Sequence, residues 1–269
     1  MLLHKFHGAG NDFIIVDDYD DDVKLTRKQI AHLCDRHYGI GADGLMLLLP
    51  PDPKEQLEAF TMRYYNNDGN EATMCGNGAR CIAMLYYLLC LENYGKSPNY
   101  ICFSAKDGGH TAEIKRWNAK TQQGLVTVRM QRILPEAVSQ VLDGHLIDTG
   151  VPHYVQEVTD LEHFDVVGEG RRLRHHPALG KEGANIDFVE RDEKGVLHIR
   201  TYERGIEDET LACGTGITAA AVITGAEKIL ARGGTFAVKI DRPTPRWPYY
   251  EPYLTGPVAR VFTTELEVY

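Results

Sequence analysis

Short apolar runs separated by turn residues dominate the chain, a strand-rich pattern interrupted by a few helical stretches. The run at residues 13–16, after the turn Gly8-Ala9-Gly10-Asn11-Asp12, predicts a buried strand. Thr26 is placed to cap a helix over 27–35, whose inward side carries Ile30, Ala31, Leu33 and Cys34. Strands are predicted at 45–49, closed by Pro50-Pro51, and at 60–65. Residues 81–91 are apolar almost all round, which predicts a helix buried on every side. Short alternating strands are predicted at 100–103, 111–115, 125–130, 144–148, 154–158, 186–190, 197–202 and 236–240. An Ala-rich helix is predicted at 218–230, ended by Arg232-Gly233-Gly234. The Pro-rich stretch 243–257 reads as an ordered loop because it also holds Trp247, Tyr249, Tyr250, Tyr253 and Leu254, and 258–268 reads as a strand.

The second apolar helix repeats the setting of the first. Superposing Cys213 on Cys75 aligns Gly214 with Gly76, Gly216 with Gly78 and Glu209 with Glu71. Both segments read E-x-x-x-C-G-x-G and run into a buried helix. Upstream, Gly10-Asn11-Asp12-Phe13-Ile14 starts 65 residues before Cys75, and Gly150-Val151-Pro152-His153-Tyr154 starts 63 residues before Cys213. Matching order at matching spacing implies an internal duplication into two lobes.

Composition narrows the function classes. The chain has 269 residues, 43% apolar and 25% charged, with a net charge of −9, so it is globular and carries no basic footprint for nucleic acid or anionic lipid. No apolar run approaches the ~20 residues of a membrane span. His4, Lys5 and His7 break the N-terminal apolar residues, so no signal-peptide core is read and a cytoplasmic setting is expected. Six cysteines (Cys34, Cys75, Cys81, Cys90, Cys102 and Cys213) show no CxxC spacing, so reduced thiols are expected rather than disulfides or a metal site.

Duplication sorts these thiols. Cys34, Cys81, Cys90 and Cys102 read as small packing residues. Cys75 and Cys213 each sit at a helix start, where unpaired N–H groups and the helix dipole stabilise a thiolate. The glycines beside them let backbone N–H groups approach an anion such as a carboxylate. If two such helices point at one ligand, one sulfur can remove the proton α to the carboxylate while the other returns a proton to the opposite face. A carbon acid that weak needs preorganised donors and exclusion of water.

At this point the residues resemble a known family. Asn66-Asn67-Asp68-Gly69-Asn70-Glu71-Ala72-Thr73-Met74-Cys75-Gly76-Asn77-Gly78-Ala79-Arg80 is similar to the signature of the diaminopimelate epimerases. Glu203-Arg204-Gly205 followed by Leu211-Ala212-Cys213-Gly214-Thr215-Gly216 resembles the second cysteine motif of that family. Phe6 to Phe13 and Asp35 to Gly44 resemble its N-terminal pattern.

The resemblance implies an α/β (α+β) fold of two pseudo-symmetric lobes, each a strongly curved, mostly antiparallel sheet around a central helix. The lobes would be 1–118 plus 257–269, carrying Cys75, and 119–256, carrying Cys213. It implies cofactor-independent, metal-free interconversion of LL- and meso-diaminopimelate by a thiolate/thiol pair, Cys75 and Cys213, in a likewise implied homodimer. Glu203 and His153 would orient the reacting centre, and Gly76-Asn77 and Gly214-Thr215 would bind the reacting carboxylate. Asn11, Asn66, Asn185 and Arg204 would hold the distal end of the amino-acid substrate.

Three positions depart from the family pattern: Val151 where Asn is usual, Asn70 where Ser is usual, and Gly44 where some members have a substrate-facing Gln. They bear on the substrate rather than the two-thiol chemistry, so a racemase of another amino acid stays open. Proline racemases and phenazine-type isomerases share the expected fold, but Cys75-Gly76-Asn77 departs from the Cys-Gly-His usual in the former, and the latter lack the paired cysteines. A thiol redox protein or a non-catalytic binding module is the reading from another class.

Overall fold

The computed structural model describes residues 1–54 and 57–267, and the inferred duplication reappears in it as a duplicated strand order. Two compact units divide the chain, residues 1–128 with 256–269 and residues 129–255. The first boundary falls ten residues later than the sequence placed it, because the strand before it pairs backward into the first unit.

The first unit contains β1 (Leu2–Gly8), β2 (Asn11–Asp17), α1 (Arg27–Cys34), β3 (Gly44–Leu49), β4 (Phe60–Asn66), β5 (Glu71–Ala72), α2 (Gly76–Tyr94), β6 (Tyr100–Ala105), β7 (Gly108–Asn118) and β8 (Gln123–Arg129). β1 and β2 form a hairpin whose two-residue turn has positive φ at Ala9 (58°) and Gly10 (89°), the conformation that matches strand twist. Then β2 pairs parallel with β3, β3 antiparallel with β4, β4 antiparallel with β5 and parallel with β6, β6 antiparallel with β7, and β7 antiparallel with β8.

Both faces of these strands are covered, which is why β3 reads as an unbroken apolar run. Leu45, Leu47 and Leu49 pack with Ile30, Leu33 and Cys34 of α1, while Met46 lies against Gly78 of α2. Thr26 caps α1 as expected, in a reciprocal capping box with Gln29. Helix α2 touches β1, β2, β3 and β7. One helix can reach the beginning and the far side of a sheet only if that sheet curves around it, so α2 is the axis of the unit.

After β9 (Ser139–Val141), the second unit repeats the plan with β10 (Gly144–Asp148), β11 (Pro152–Glu157), α3 (Val166–Arg174), β12 (Asn185–Arg191), β13 (Leu197–Glu203), β14 (Asp208–Thr210), α4 (Gly214–Thr224), β15 (Lys228–Ala231), β16 (Gly234–Asp241) and β17 (Glu251–Glu265). β10 pairs antiparallel with β11, β11 parallel with β12, and β12 antiparallel with β13. β13 is antiparallel to β14 and parallel to β15, and β15, β16 and β17 follow antiparallel. Helix α4 touches β10 to β13 and β16, the counterpart of α2. The chain passes back into the first unit within β17, whose residues 259–265 pair with β1.

Four expectations are corrected. Helix α4 stops at Thr224, not 230, because Gly225 adopts φ 69° and its N–H closes on Ala221 O. Residues 228–231 then form β15 beside β13. The Pro-rich stretch is a loop only to residue 250; Pro252 to Thr255 form ladder pairs with Val238 to Ile240 and Ala237 at the start of β17. That strand ends at Glu265, and Val268 of the expected tail strand lies outside the described residues. Helix α2 starts five residues earlier than its apolar run, at Gly76. Helix α3 and strands β1, β5, β9, β14 and β15 escaped the pattern reading, most of them being short or polar on one side.

Candidate active site

In each unit, a short strand (β5 or β14) leads through a turn to the cysteine that opens the central helix. Cys75 is the extended N-cap residue of α2, at φ −135° and ψ 121°. Cys213 is its counterpart on α4, at φ −106° and ψ 111°. The residue after each cysteine is therefore the first helical one, and the free N–H groups of that turn lie beside the sulfur.

Around Cys75 the first unit assembles Asn11, Gly76 and Asn77. Asn11 stands at the start of β2, and its side-chain carbonyl accepts from Cys75 Sγ (3.7 Å) and from Asn77 Nδ2 (3.2 Å). Its Nδ2 donates to Asp43 Oδ2 at 2.7 Å, which orients the amide. Asp43 is held by Arg36 (2.8 Å), which also bridges to Asp12 (2.6 Å), and Lys5 pairs with Asp12 at 2.6 Å. Burial works to raise the Asp12 pKa, but the two cations outweigh it and hold the carboxyl down to about 2. The strand β1 closes over the helix start: a Cβ on Gly8 would lie 2.9 Å from Asn77 O.

Beneath Asn77 lies Arg80, fully buried, donating to Asn77 Oδ1 at 2.6 Å and Gly76 O at 3.3 Å. Burial pulls its pKa down to about 10, opposed by the neighbouring sulfurs of Cys81 and Cys75. A cation this deep favours negative charge on the adjacent thiol. Asn66 ends β4, exposed, directly opposite Gly44 in the β3 ladder; its main chain forms the turn with Gly69 and Asn70.

Around Cys213 the second unit assembles Thr215, His153, Asn185 and Glu203. Cys213 Sγ lies 3.3 Å from Thr215 Oγ1, and that hydroxyl lies 2.9 Å from His153 Nε2. His153 is fully buried, and its Nδ1 meets Asp187 Oδ2 at 2.7 Å. Thr201 Oγ1 donates to Asp187 Oδ1 at 2.7 Å. Asn185 accepts from the Arg204 backbone N–H at 2.8 Å, while its Nδ2 faces Pro152 O and His153 Nε2, each at 3.3 Å. Thus Arg204 joins this cluster through its main chain, and Gly214 lies under it as the acceptor of the Thr218 hydroxyl at 2.9 Å. Val151 sits half-buried in the loop between β10 and β11, and Asn70 is exposed.

The Cys213 thiol is pushed well above its ordinary value, first by burial and then by the negative charges of Glu203 and Asp187; bonds from Thr215 and the Gly216 N–H pull the other way. Cys213 is therefore a thiol at neutral pH. Cys34 and Cys81 are buried packing groups: burial pushes Cys34 up to about 11 and Cys81 higher still.

Asp43, Arg36, Arg80 and Asp187 were not singled out from the sequence. Asp187 had a legible signal, since it follows Asn185 by two residues on one strand and so shares its face. Arg80 and Asp43 lie inside the quoted motifs, but nothing in a linear pattern distinguishes a buried guanidinium from a surface one.

The sequence signature of the family described as diaminopimelate epimerase matches residues 3–132 and 145–242. A protein named diaminopimelate epimerase from Flavobacterium psychrophilum is 38% identical, covering 99% of this chain and 100% of its own. One of the same name from Aquifex aeolicus is 35% identical, covering 99% and 98%. Among solved structures, a probable proline racemase from Agrobacterium radiobacter superposes with a TM-score of 0.69 at 14% identity, covering 100% of this chain and 93% of its own. A PhzF-family phenazine biosynthesis protein from Bacillus anthracis gives 0.67 at 15%, covering 100% and 99%. At such identities these two structures speak for the shared fold alone.

Proposed function

Because the chain belongs to the diaminopimelate epimerase family, we propose that it interconverts LL- and meso-diaminopimelate, the isomerase step feeding lysine and cell-wall precursors, using two thiols and no cofactor or metal. The observation that carries this reading is the repeated one: each unit presents a cysteine as the N-cap of its buried central helix, with Gly-x-Gly behind it. Cys75 and Cys213 are the two acid/base groups, taking and returning the α-proton on opposite faces of the carbon.

The chemistry follows from the local settings. Proton removal leaves a carbanion whose charge spreads into the carboxylate, so the N–H groups at Gly76-Asn77 and Gly214-Thr215 stabilise the transition state more than the substrate. Cys213, held protonated by burial and by Glu203, is the resting acid. Cys75, a thiol donating to Asn11 Oδ1, is the base once that proton has left, a loss that the buried Arg80 and the helix N-terminus favour. After one turnover the protonation states are exchanged, and the enzyme is ready for the reverse direction. Asn11, Asn66, Asn185, His153, Glu203 and Arg204 position the substrate amino-acid groups. Val151 favours a second reading in which the same machinery racemises another amino acid, since it offers no polar side chain at a position where the family carries Asn. We place the protein in the cytoplasm as a homodimer, a form consistent with exposed Leu2, Val261 and Phe262 on the paired strands β1 and β17.

The test is α-proton exchange in deuterated water with LL-diaminopimelate and a panel of other amino acids. Exchange with diaminopimelate, lost in Cys75→Ala and in Cys213→Ala, is expected. Turnover confined to another amino acid selects the second reading, and full epimerisation by Cys75→Ala refutes the two-thiol mechanism.

A further inference from the structure

Glu207 holds a backbone conformation that its residue type disfavours, in the turn that carries Arg204. Strands β13 and β14 form a hairpin with Glu203 opposite Asp208, and its loop closes through the Glu207 N–H, which donates to Glu203 O at 2.9 Å. Gly205 (φ 89°) and Glu207 (φ 59°) both take left-handed values there. Glycine adopts that conformation freely, whereas the Cβ of Glu207 opposes it. Strain of this kind persists where surrounding contacts over-determine it, and it clusters at functional sites.

The Glu207 side chain supplies the compensation. Its Oε1 accepts from the Gly205 N–H at 3.1 Å and from Arg174 Nε at 3.3 Å, and its Oε2 accepts from the Tyr202 hydroxyl at 3.2 Å. The Gly205 N–H first, and then Arg174, the Tyr202 hydroxyl and His175, hold the carboxyl below its ordinary range against desolvation. Tyr202 and Arg174 are buried, so two of the three partners are fixed by the interior of the second unit. Arg174 also reaches the other way. From the last position of α3 its Nη1 donates to Glu182 O at 2.7 Å, and a Cβ on Gly183 (φ 64°) would overlap the Arg174 main chain. That segment runs into Asn185 at the start of β12, whose side-chain oxygen accepts the Arg204 N–H at 2.8 Å. One guanidinium thus ties the segment before Asn185 to the turn after Arg204. The half-buried Arg204 guanidinium itself makes no hydrogen bond or ion pair among the described residues, so its main chain is pinned while its charge faces no protein partner.

Resting on the epimerase reading, in which Asn185 and Arg204 hold the distal end of the substrate, we propose that Arg174 and Glu207 are positioning residues that fix those two groups relative to each other and so set the affinity for that end. Neither acts on the reacting carbon; both act through Asn185 and Arg204. A guanidinium binds a carboxylate through two parallel hydrogen bonds, so its usefulness depends on where its main chain is held. The clamp orders the 204–207 turn on folding, so that cost does not recur on binding.

Glu207→Gly in the full chain separates this role from a purely structural one, because glycine accepts φ 59° without strain while every contact of the carboxylate is lost. Its Tm is expected within about 4 °C of the parent. KM for LL-diaminopimelate is expected to rise about tenfold with kcat within about threefold. Glu207→Gln, whose amide can meet the same three partners, is expected to bring KM back to within about threefold of the parent. Amide hydrogen exchange of the substrate-free chain, read by mass spectrometry, tests the clamp without turnover. The peptide over 182–186, distant in sequence from the substitution, is expected to exchange several-fold faster in Glu207→Gly. A parent chain that fails to exchange the α-proton of diaminopimelate would defeat the epimerase reading, and hydrogen exchange would still judge the clamp. An unchanged KM in Glu207→Gly, a Tm lowered beyond that limit, or unchanged exchange over 182–186 overturns the positioning role.

Discussion

Gly78 and Gly216 occupy the same place in the two C-G-x-G motifs, yet the structure predicts different outcomes when each becomes alanine. On helix propensity alone, Gly→Ala inside a helix stabilises by about 0.5–1 kcal/mol. At Gly216 a Cβ would lie 2.4 Å from Asp187 Oδ1, 3.1 Å from its Cγ and 3.2 Å from His153 Cε1. To reach 3.4 Å the carboxylate oxygen must move about 1 Å, and it is held by Thr201 at 2.7 Å. Losing a hydrogen bond to a charged group costs about 1.5–3 kcal/mol, and packing an extra methyl group into a filled core costs about the same. Together the two costs exceed the propensity gain, and Gly216→Ala is expected to destabilise by about 2–5 kcal/mol, lowering Tm by roughly 4–20 °C. At Gly78 the obstructing atom is Met46 Sδ at 2.9 Å, on a flexible thioether that can turn aside. Gly78→Ala is expected to melt within about 2 °C of the unmodified protein. Thermal unfolding by circular dichroism reads both. A Gly216→Ala protein as stable as the parent would refute the fixed packing of Asp187, His153 and Thr201.

Two further outcomes follow from buried charge. Burial, and then the Arg260 charge, hold His4 down to about 4, against 6.5 for an unperturbed histidine. Its neutral form thus contributes stability that is fully present above pH ~6.5 and is lost as pH falls toward ~4, where the unfolded chain binds the proton first. His4→Gln is expected to flatten Tm against pH across that window, and an unchanged slope would exclude His4 as the source. Arg80→Met removes the bonds to Asn77 Oδ1 and Gly76 O, with an expected loss of about 1.5–3 kcal/mol in stability. It should also raise the pH at which Cys75 alkylates, whereas Arg80→Lys keeps the charge and should retain much of the lower midpoint.

How much was legible differs by scale. The duplication, both cysteines and the strand-rich plan could be read in one dimension because they are matters of spacing and period. The apolar runs at 13–16 and 45–49 marked strands buried on both faces, and the continuous apolarity of 81–91 marked a helix that a sheet must surround. Where tertiary pairing competes with local pattern, the reading failed. Residues 226–230 continue an Ala-rich run, yet Gly225 ends the helix and β15 gains a ladder with β13. Pro252 lies in a loop-like stretch, yet it takes a place opposite Ile240.

The sequence by itself singled out Cys75 and Cys213 as the two thiols at repeated helix starts, since repetition at a fixed spacing is independent of folding detail, and it placed the chain in its family. Only the tertiary structure decided how the two differ. Cys75 is set beside Asn11 and a buried arginine, whereas Cys213 is set beside Thr215 and the His153–Asp187 pair. Identical helix starts acquire different surroundings because Asn11, His153 and Asp187 come from strands distant in sequence, and no linear spacing encodes the dielectric around a sulfur.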